Sequence, residues 1–488
     1  MNSRSQPKGV VAMYMVQLLS CVGYASVTFM LVLYCTNALG LTDSASFSVN
    51  AAYVALLYAA HVTGGLIAER YIGYQRAIIW GLILCAIGNL LLMWQTTTML
   101  YIAASVFIVG TGLNVPAGFV LLGRLYKADD ARREKGFTII YMGMNMGMFF
   151  ACGAAGPIAK ALGFPVLYAI GCGFTILTLA YYYFIQKHFL QDRLNFSRAR
   201  VSSGALLCFI SIPITALLLQ YSGYCNAALL ALGVLCVIAL IYLACKQETV
   251  KAKNKLLAFL CLTMIATVFW ALYNLGPSAL TIFTERNVDR TVLGYTIPAG
   301  SFNALNPLFI VLIGPFMGGI WLWLRRFGWH VTLAEKFAGG VIIMGLGYLV
   351  LIWGIDCQAK SGLIAVSWIV LSYLLQTLAE LMIGPVGFAM VGQLVPDKME
   401  GFMMGIWELS SGIAGAISGY LANMTSTPGK ALTPLQSNPT YAHAFAYFAY
   451  GSIIIGILMI AFVPVISRMT QERPHKTKRF WFKKLKTA

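Results

Sequence analysis

Residues 64–76 read GGLIAERYIGYQR and join two long apolar runs, 46–68 and 77–95. A run of roughly 20 apolar residues is long enough to cross the hydrocarbon core of a bilayer, about 30 Å thick, as one helix. The paired glycines allow two helices to approach closely, and the acidic and basic side chains that follow them suit a short polar turn. The stretch therefore predicts two neighbouring transmembrane helices joined by a tight, charged connection.

The same pattern continues along the chain, which has 488 residues, of which 59% are hydrophobic and 10% are charged. Soluble globular proteins carry about 25% charged residues, so this composition excludes an ordinary soluble enzyme, a disordered chain and a disulfide scaffold. The first run lacks a small-residue cleavage site, and we expect it to be retained as a helix. The predicted transmembrane segments are the fourteen runs 10–35, 46–68, 77–95, 99–125, 137–160, 164–186, 201–220, 226–245, 255–284, 295–324, 336–355, 362–395, 402–424 and 442–467.

The net charge of +18 arises from 34 lysines and arginines against 16 acidic residues. Nucleic-acid binding would need these basic residues gathered on one face, but they lie in short clusters between apolar runs, so we expect no nucleic-acid partner. With a cytoplasmic N-terminus, five basic residues fall in outward-facing connections and the other 29 face the cytoplasm. The five are Lys160, Arg286, Arg290, Lys360 and Lys430. This asymmetry predicts an even number of helices with both termini in the cytoplasm.

The seventh and eighth runs contain no charged residue in their apolar parts and are joined by the short turn Tyr221–Asn226. We interpret them as a hairpin inserted between two groups of six helices, an arrangement of secondary transporters that bind substrate between two repeated halves. The predicted fold is thus an all-α membrane protein with 14 transmembrane helices. The expected divisions are a six-helix bundle at 1–190, the hairpin with its linkers at 191–252, a second bundle at 253–470 and a basic tail at 471–488.

Several motifs resemble those of one transporter family. The stretch at 64–76 resembles the signature loop of the major facilitator superfamily. The residues that carry this resemblance are Gly64, Gly65, Glu69, Arg70, Gly73 and Arg76. The string GFTIIYMGMNMG at 136–147 is similar to the FYxxxNxG signature of the proton-dependent oligopeptide transporters, and strings at 269–273, 297–307 and 377–387 are also similar to that family. The resemblance spans nearly the whole chain and implies the major facilitator fold.

The sequence departs from this family at its usual charged positions. The family's first helix carries a Glu-x-x-Glu-Arg motif and a further Arg, whereas the aligned stretch here is Gln17-Leu-Leu-Ser20-Cys21, with Thr28 at the later position. The fourth-helix Lys is replaced by Val115 and the seventh-helix acid by Asn274. An unpaired buried charge costs several kcal/mol, so a buried charge is expected to disappear together with its partner. Both partners are absent here, which supports this alignment with the family. The family's proton relay and peptide-carboxylate clamp therefore do not carry over.

The resemblance nevertheless implies a central cavity with polar and aromatic walls. Its expected substrate-binding residues are Tyr24, Tyr58, Asn145, Trp270, Asn274, Asn306, Glu380 and Trp407. Glu380 lies mid-span, and the predicted membrane interior holds no Lys or Arg. An intramembrane carboxylate indicates a functional site by default, and the resemblance places it near a substrate amine. The alternative is a protonated acid hydrogen-bonded between helices.

Two further titratable groups are candidates for proton coupling besides Glu380. Glu408 lies two turns into its helix, where either a second proton site or a packing contact fits. His61 follows Tyr58 by one turn and either senses pH or bridges two helices as a neutral imidazole. The buried amides of Asn145 and Asn306 either bind substrate or join helices. The glycines spaced by four at 143–147 and 415–419 favour close helix packing.

We therefore expect a secondary transporter that imports a small nitrogen-containing solute, either a short peptide or an amine-bearing compound. The charge losses favour a cationic or neutral substrate, with proton coupling through Glu380. Alternatives are an exporter or uncoupled facilitator on the same fold, or a sensor that has lost transport. The chain has no HExxH, GxSxG or phosphate-binding loop motif, so we expect no enzyme activity, cofactor or metal. We expect a monomer in a bacterial inner membrane.

Overall fold

The computed structural model describes residues 6–126, 130, 132–189, 196–327, 331–358, 360–395, 399–426 and 433–470. Within these residues the fold is built from fourteen long helices. They are α1 (Lys8–Thr28), α2 (Asp43–Ile67), α3 (Tyr74–Leu92), α4 (Thr97–Gly123), α5 (Arg133–Leu162), α6 (Phe164–Phe189), α7 (Arg198–Gln220), α8 (Ser222–Cys245), α9 (Val250–Tyr273), α10 (Leu305–Arg326), α11 (Leu333–Asp356), α12 (Val366–Leu394), α13 (Glu400–Asn423) and α14 (Pro434–Thr470). The predicted basic tail and Lys430 lie outside the described residues.

Three of these helices continue past their α-helical ends. The first proceeds through Leu31–Leu33 and a π turn at Tyr34–Ala38, and α2 ends in a π turn at Ala68–Ile72. Helix α9 continues through a π turn at Gly276–Leu280 into the short helix Thr281–Asn287. Thirteen helical segments in the described part of the chain are long and apolar enough to cross a membrane. The prediction of an all-α, fourteen-helix membrane protein is confirmed.

The fourteen helices are arranged as a bundle of six, a pair and a second bundle of six. Helices α1 to α6 pack among themselves, with α1 against α5 and α6, and α3 against α4. Helices α9 to α14 do the same, with α11 packed against α12 and α14. The pair α7 and α8 stands outside both groups, where α7 packs on α4 and α8 contacts α2, α9 and α13. The hairpin therefore touches both six-helix bundles.

Glycines set the closest approaches between helices, as their spacing predicts. Gly64 of α2 lies against the backbone of Gly112 in α4, and a side chain at Gly64 would have no room. Gly143 packs beside Tyr14 of α1. Gly415 and Gly419 of α13 lie against α2 in the same way. These contacts confirm the packing interpretation of the small-residue spacings.

One predicted span is wrong at its start. The run 295–324 was expected to be helical throughout, but residues 295–296 are a strand and α10 begins at Leu305, after a 3-10 turn at Ala299–Ala304. Leu293 and Gly294 both have positive φ, 51° and 81°, which turns the chain back on itself. Four short strands result: β1 (Val288–Asp289), β2 (Thr291–Val292), β3 (Tyr295–Thr296) and β4 (Ile364–Ala365), with β1 parallel to β4 and β2 antiparallel to β3. The apolar residues of this strand pair and its turn extend the apolar run, so the sequence alone places the start of the helix too early.

The two bundles meet near one face of the molecule. We call the face where α1 begins and α14 ends the terminal face, and the opposite one the distal face. At the distal face, the Ser301 hydroxyl donates to the backbone oxygen of Gly153 at 3.1 Å, across the bundles. Gly156 also packs closely on Pro298 and Ser301. The structure is therefore closed between the bundles at the distal face.

Candidate functional site

The candidate site centres on Glu380, halfway along α12. Its side chain is 7% exposed, and its Oε2 atom accepts a hydrogen bond from the Asn306 amide at 2.6 Å. Asn306 lies in the first turn of α10, so this bond joins two helices of the second bundle. At 2.6 Å this bond is slightly shorter than an ordinary N–H···O hydrogen bond of about 2.7–3.2 Å.

Asn306 connects the carboxylate to two further groups. Its Nδ2 atom also donates to the Thr377 hydroxyl at 3.2 Å, and its Oδ1 atom accepts from the Tyr273 hydroxyl at 3.2 Å. Thr377 in turn donates to the backbone oxygen of Tyr373 at 2.8 Å, which leaves its oxygen free to accept. The amide therefore has partners on both ends and joins α9, α10 and α12 into one network.

Within the described residues, the hydrogen-bond partners of this carboxylate are neutral. In the described part of the chain, no lysine or arginine pairs with Glu380. A charged side chain inside a membrane protein costs several kcal/mol unless it is paired. Glu380 therefore needs either a proton or an external cation to complete its environment.

The first bundle faces this carboxylate with tyrosines. Tyr58 of α2 and Tyr141 of α5 both lie close enough to interact electrostatically with Glu380. The same is true of Tyr273, which belongs to the second bundle. The site therefore lies between the bundles, and its walls carry hydroxyl groups that can donate to or accept from a bound molecule.

Asn145 stands outside the Glu380 network. Its side chain is 8% exposed, and its Nδ2 atom donates to the backbone oxygen of Tyr141, one turn earlier on the same helix, at 2.9 Å. The two asparagines that sequence reasoning treated alike thus differ. Asn306 is bonded to the carboxylate, whereas the amide nitrogen of Asn145 is bonded to its own helix.

The two predicted tryptophans also have different surroundings. Trp270 is half-buried and packs edge-on against Tyr273, with ring centroids 5.2 Å apart. Its indole Nε1 is buried without a hydrogen-bond acceptor among the described residues. Trp407 is 2% exposed, and its ring covers Gly387 of α12 so closely that a Cβ there has no room. Trp270 borders the polar network, and Trp407 packs in the core of the second bundle.

The remaining predicted residues lie at the edges of the site. Tyr24 is half-buried beside Phe107, with ring centroids 6.3 Å apart. Asn274 directly follows α9 and is 9% exposed, and its backbone oxygen accepts from the Ser278 hydroxyl at 3.1 Å. Cys21, at a position where the family has a charge, donates its thiol to the backbone oxygen of Met144 at 3.4 Å. This contact ties α1 to α5.

A second polar cluster lies nearer the terminal face. The His61 ring packs edge-on against Tyr58 with centroids 5.8 Å apart, and its Nε2 atom is buried without a hydrogen-bond partner among the described residues. Glu408 on α13 is half-buried and interacts electrostatically with the same Tyr58. Gly412, one turn after Glu408, packs on Tyr58. Tyr58 therefore stands between the two candidate carboxylates.

The connection between α2 and α3 is compact, as its sequence predicts. The chain reverses at Gly73, whose φ of 84° suits glycine. Glu69, Arg70 and Arg76 are exposed at the terminal face.

An ion pair at the distal face escaped the sequence analysis. The Arg286 guanidinium donates to both oxygens of Asp43, at 2.6 and 2.8 Å, and so joins the short helix Thr281–Asn287 to the start of α2. Beside it, Asn37 donates to Glu285 at 2.9 Å. The signal available in sequence was a lone acid at the start of a span and a rare outward-facing arginine.

Comparison with known proteins finds a matching family model, similar permeases and similar solved structures. The model of the family described as POT family, PTR2, matches residues 75–439. The dipeptide and tripeptide permease A of Klebsiella pneumoniae is 31% identical over 485 residues, covering 97% of this chain and 95% of the permease. The permease of the same name from Pectobacterium carotovorum is 30% identical over 481 residues, covering 97% and 94%. A crystal structure of a peptide transporter POT in complex with sulfate has a TM-score of 0.83 at 25% identity, covering 95% of this chain and 96% of that one.

Proposed function

This chain belongs to the POT family, and from that premise we propose that it imports a cationic or neutral solute whose amine is held by Glu380. The protein is a multi-pass secondary transporter of the peptide-transporter type that works by alternating access. Its relatives are permeases for dipeptides and tripeptides. For this chain we propose a short peptide or amine-bearing compound without a free carboxylate.

The observation that carries this proposal is the neutral surroundings of the Glu380 carboxylate. Asn306, Thr377 and Tyr273 supply hydrogen bonds within its network but no positive charge. An ammonium group at the carboxylate would provide the missing charge, and the tyrosine rings nearby suit a cation. The closest partner, Asn306, holds the carboxylate in place for such a ligand.

The same reasoning disfavours a substrate carboxylate. The resemblance to the family implies cationic side chains at positions that are Cys21 and Val115 in this chain. A ligand carboxylate placed in the cavity would have no built-in counter-charge, and an unpaired charge in a low-dielectric site costs several kcal/mol. Amidated or decarboxylated compounds should therefore bind better than unmodified dipeptides.

Coupling to protons would use the same carboxylate. A proton and an ammonium compete for the Glu380 oxygens, so Glu380 alone would exchange a proton for a substrate. Symport would need a second group that keeps its proton while the ammonium is bound. Glu408 and His61 are secondary candidates because both lie beside Tyr58, which also faces Glu380. Asn145, Asn274, Trp270, Tyr24 and Trp407 remain candidate binding residues.

We also propose an orientation. Among the described residues, most lysines and arginines lie at the terminal face, so this face would lie in the cytoplasm and the distal face outside it. The structure would then be closed to the outside. We propose a monomer in a bacterial inner membrane.

A ligand series tests the substrate proposal. The purified protein would be unfolded thermally with dipeptides in free and C-terminally amidated forms, together with simple amines, because a ligand stabilises the state it binds. We expect the amidated form of each dipeptide to raise the melting temperature more than the free form. Micromolar binding of free dipeptides that is lost on amidation would contradict the charge argument.

Uptake into proteoliposomes tests the coupling. We expect uptake of an amidated dipeptide to rise when the outside is made acidic, because a proton would enter on Glu408 or His61 while the ammonium occupies Glu380. Uptake that ignores the imposed pH gradient would retain the binding site and discard proton symport in favour of an uncoupled facilitator.

A further inference from the structure

A cavity of about 560 Å³ opens at the terminal face, far from Glu380, where three segments of the chain meet. The turn after α2 contributes Glu69, Arg70 and Tyr71, and the end of α4 contributes Arg124. The start of α7, the first helix of the inserted hairpin, contributes Arg200. Transport at the Glu380 site gives this cavity no role.

The lining has an excess of positive charge. Among the described residues, the lining includes three guanidinium groups, from Arg70, Arg124 and Arg200, and one carboxylate, that of Glu69. Neither Arg70 nor Arg200 forms an ion pair within the described residues, and both are exposed. The guanidinium of Arg124 lies over the Tyr74 ring, 4.5 Å from its centroid. Like charges gathered in one concavity repel each other, so an anion at their centre would be bound favourably.

Close backbone packing holds these arginines together. Gly204, one turn after Arg200, lies against Tyr71 and Ile72, and a Cβ there would meet the Tyr71 Cβ at 2.9 Å. A glycine at this point lets α7 approach the turn, which places the first turn of the hairpin over the connection between α2 and α3. The site is therefore formed jointly by the signature loop and the inserted hairpin.

The chemistry of the lining selects the anion. Guanidinium groups present a planar fork of donors that matches two oxygens of a phosphate, and several of them together suit its higher charge. The half-buried aromatic rings of Tyr71 and Phe196 lie at the helix ends, the level at which aromatic side chains meet lipid headgroups. We propose that this cavity binds a phosphate group, carried by an anionic phospholipid or present as a free phosphate, which fastens the hairpin to the signature loop.

Binding to the full-length purified protein tests the proposal. Thermal unfolding would be followed while phosphatidylglycerol, phosphatidylcholine or inorganic phosphate is added. We expect phosphatidylglycerol or inorganic phosphate to stabilise the protein and phosphatidylcholine to have little effect. Stabilisation by phosphatidylglycerol alone identifies a lipid, and stabilisation by inorganic phosphate identifies the free anion. If neither acts beyond phosphatidylcholine, the proposal is wrong.

A matched pair of variants localises the effect. We expect Arg200→Gln to weaken the binding of the active ligand about tenfold, the size expected for one charge-assisted contact. Arg198→Gln removes an exposed arginine from the same turn of α7 that does not line the cavity, and it should leave the affinity unchanged. Equal losses in both variants would show general surface attraction and overturn the site. If Arg200→Gln does not fold, Arg200→Lys keeps the charge without the fork and should still weaken binding, and an unchanged affinity in that variant would overturn the proposal.

Discussion

Two buried carboxylates in this protein have opposite surroundings. Asp43 at the distal face is 8% exposed and accepts two hydrogen bonds from Arg286, at 2.6 and 2.8 Å. Glu380 in the interior is 7% exposed and accepts its closest hydrogen bond from a neutral amide, that of Asn306. The first carboxylate is neutralised within the chain and therefore joins two helices. The second has hydrogen bonds but no counter-charge, which is the condition of a site that receives a ligand.

The largest effect should follow removal of the uncompensated charge. Glu380→Gln keeps the shape and most hydrogen bonds but cannot neutralise an ammonium, so we expect amine binding to fall about 100-fold and uptake to be abolished. Proteoliposome uptake and ligand-induced thermal shifts measure both. Glu285→Gln is the control, since Glu285 accepts from Asn37 at the exposed distal face. Full uptake by Glu380→Gln would remove this residue from the mechanism.

A smaller effect should follow at the neutralised pair, and on conformation rather than on binding. Asp43→Asn leaves Arg286 without its partner, which we expect to cost about 2 kcal/mol because the arginine is partly exposed. The bundles would then open more often at the distal face. Maleimide labelling of Cys152, which is fully buried beside Ala304 of the other bundle, measures this opening by peptide mapping.

The expected increase in Cys152 labelling by Asp43→Asn is about thirtyfold, the change in open population that about 2 kcal/mol produces. The double variant Asp43→Asn with Arg286→Leu removes the stranded charge as well and should regain part of the closure. Labelling that stays at the wild-type rate in Asp43→Asn would show that other contacts close this face.

Removing hydrogen bonds from the network around Glu380 should lower amine affinity, and the loss should be larger for bonds that are closer to the carboxylate. Asn306→Ala removes the closest donor to the carboxylate, and we expect amine affinity to fall about tenfold. Tyr273→Phe removes a hydroxyl that donates to Asn306 at 3.2 Å and also lies within hydrogen-bond reach of Glu380, and a loss of about threefold is expected. Isothermal titration with the best ligand of the series separates the two. A greater loss in Tyr273→Phe would mean that the tyrosine contacts the ligand itself.

The smallest effect on affinity is expected at Glu408. This carboxylate interacts with Tyr58 from α13, and within the described part of the chain it has no hydrogen bond to a ligand-binding residue. Glu408→Gln should leave amine affinity within about twofold, the range of a surface change, while flattening the pH dependence of uptake. Uptake measured from pH 5.5 to 8 in both proteins checks this. An unchanged pH profile would leave Glu408 with a packing role.

The fold could be predicted from the sequence because each transmembrane helix corresponds to its own apolar run. The start of α10 could not be predicted in this way, because Tyr295 and Ile297 extend the apolar pattern through residues that form a strand and its turn. Glu380 could be singled out as a charge inside a span. Its partners Tyr273 and Thr377 could not, because they depend on how three helices are rotated about their axes. The available signal in the sequence was that Tyr273 lies one turn from Trp270 and Thr377 one turn from Glu380.

The contact between α2 and α13 has a consequence for motion. Gly412, Gly415 and Gly419 present bare backbone to the facing residues Ala55, Val54 and Ala51, so few side chains interlock across this joint. Helices that interdigitate must lift side chains out of grooves before they can turn, which creates an activation barrier. A surface of bare backbone can roll with little change in contact area. We therefore expect the two bundles to rotate about this joint, with a low barrier because these three positions carry no side chain.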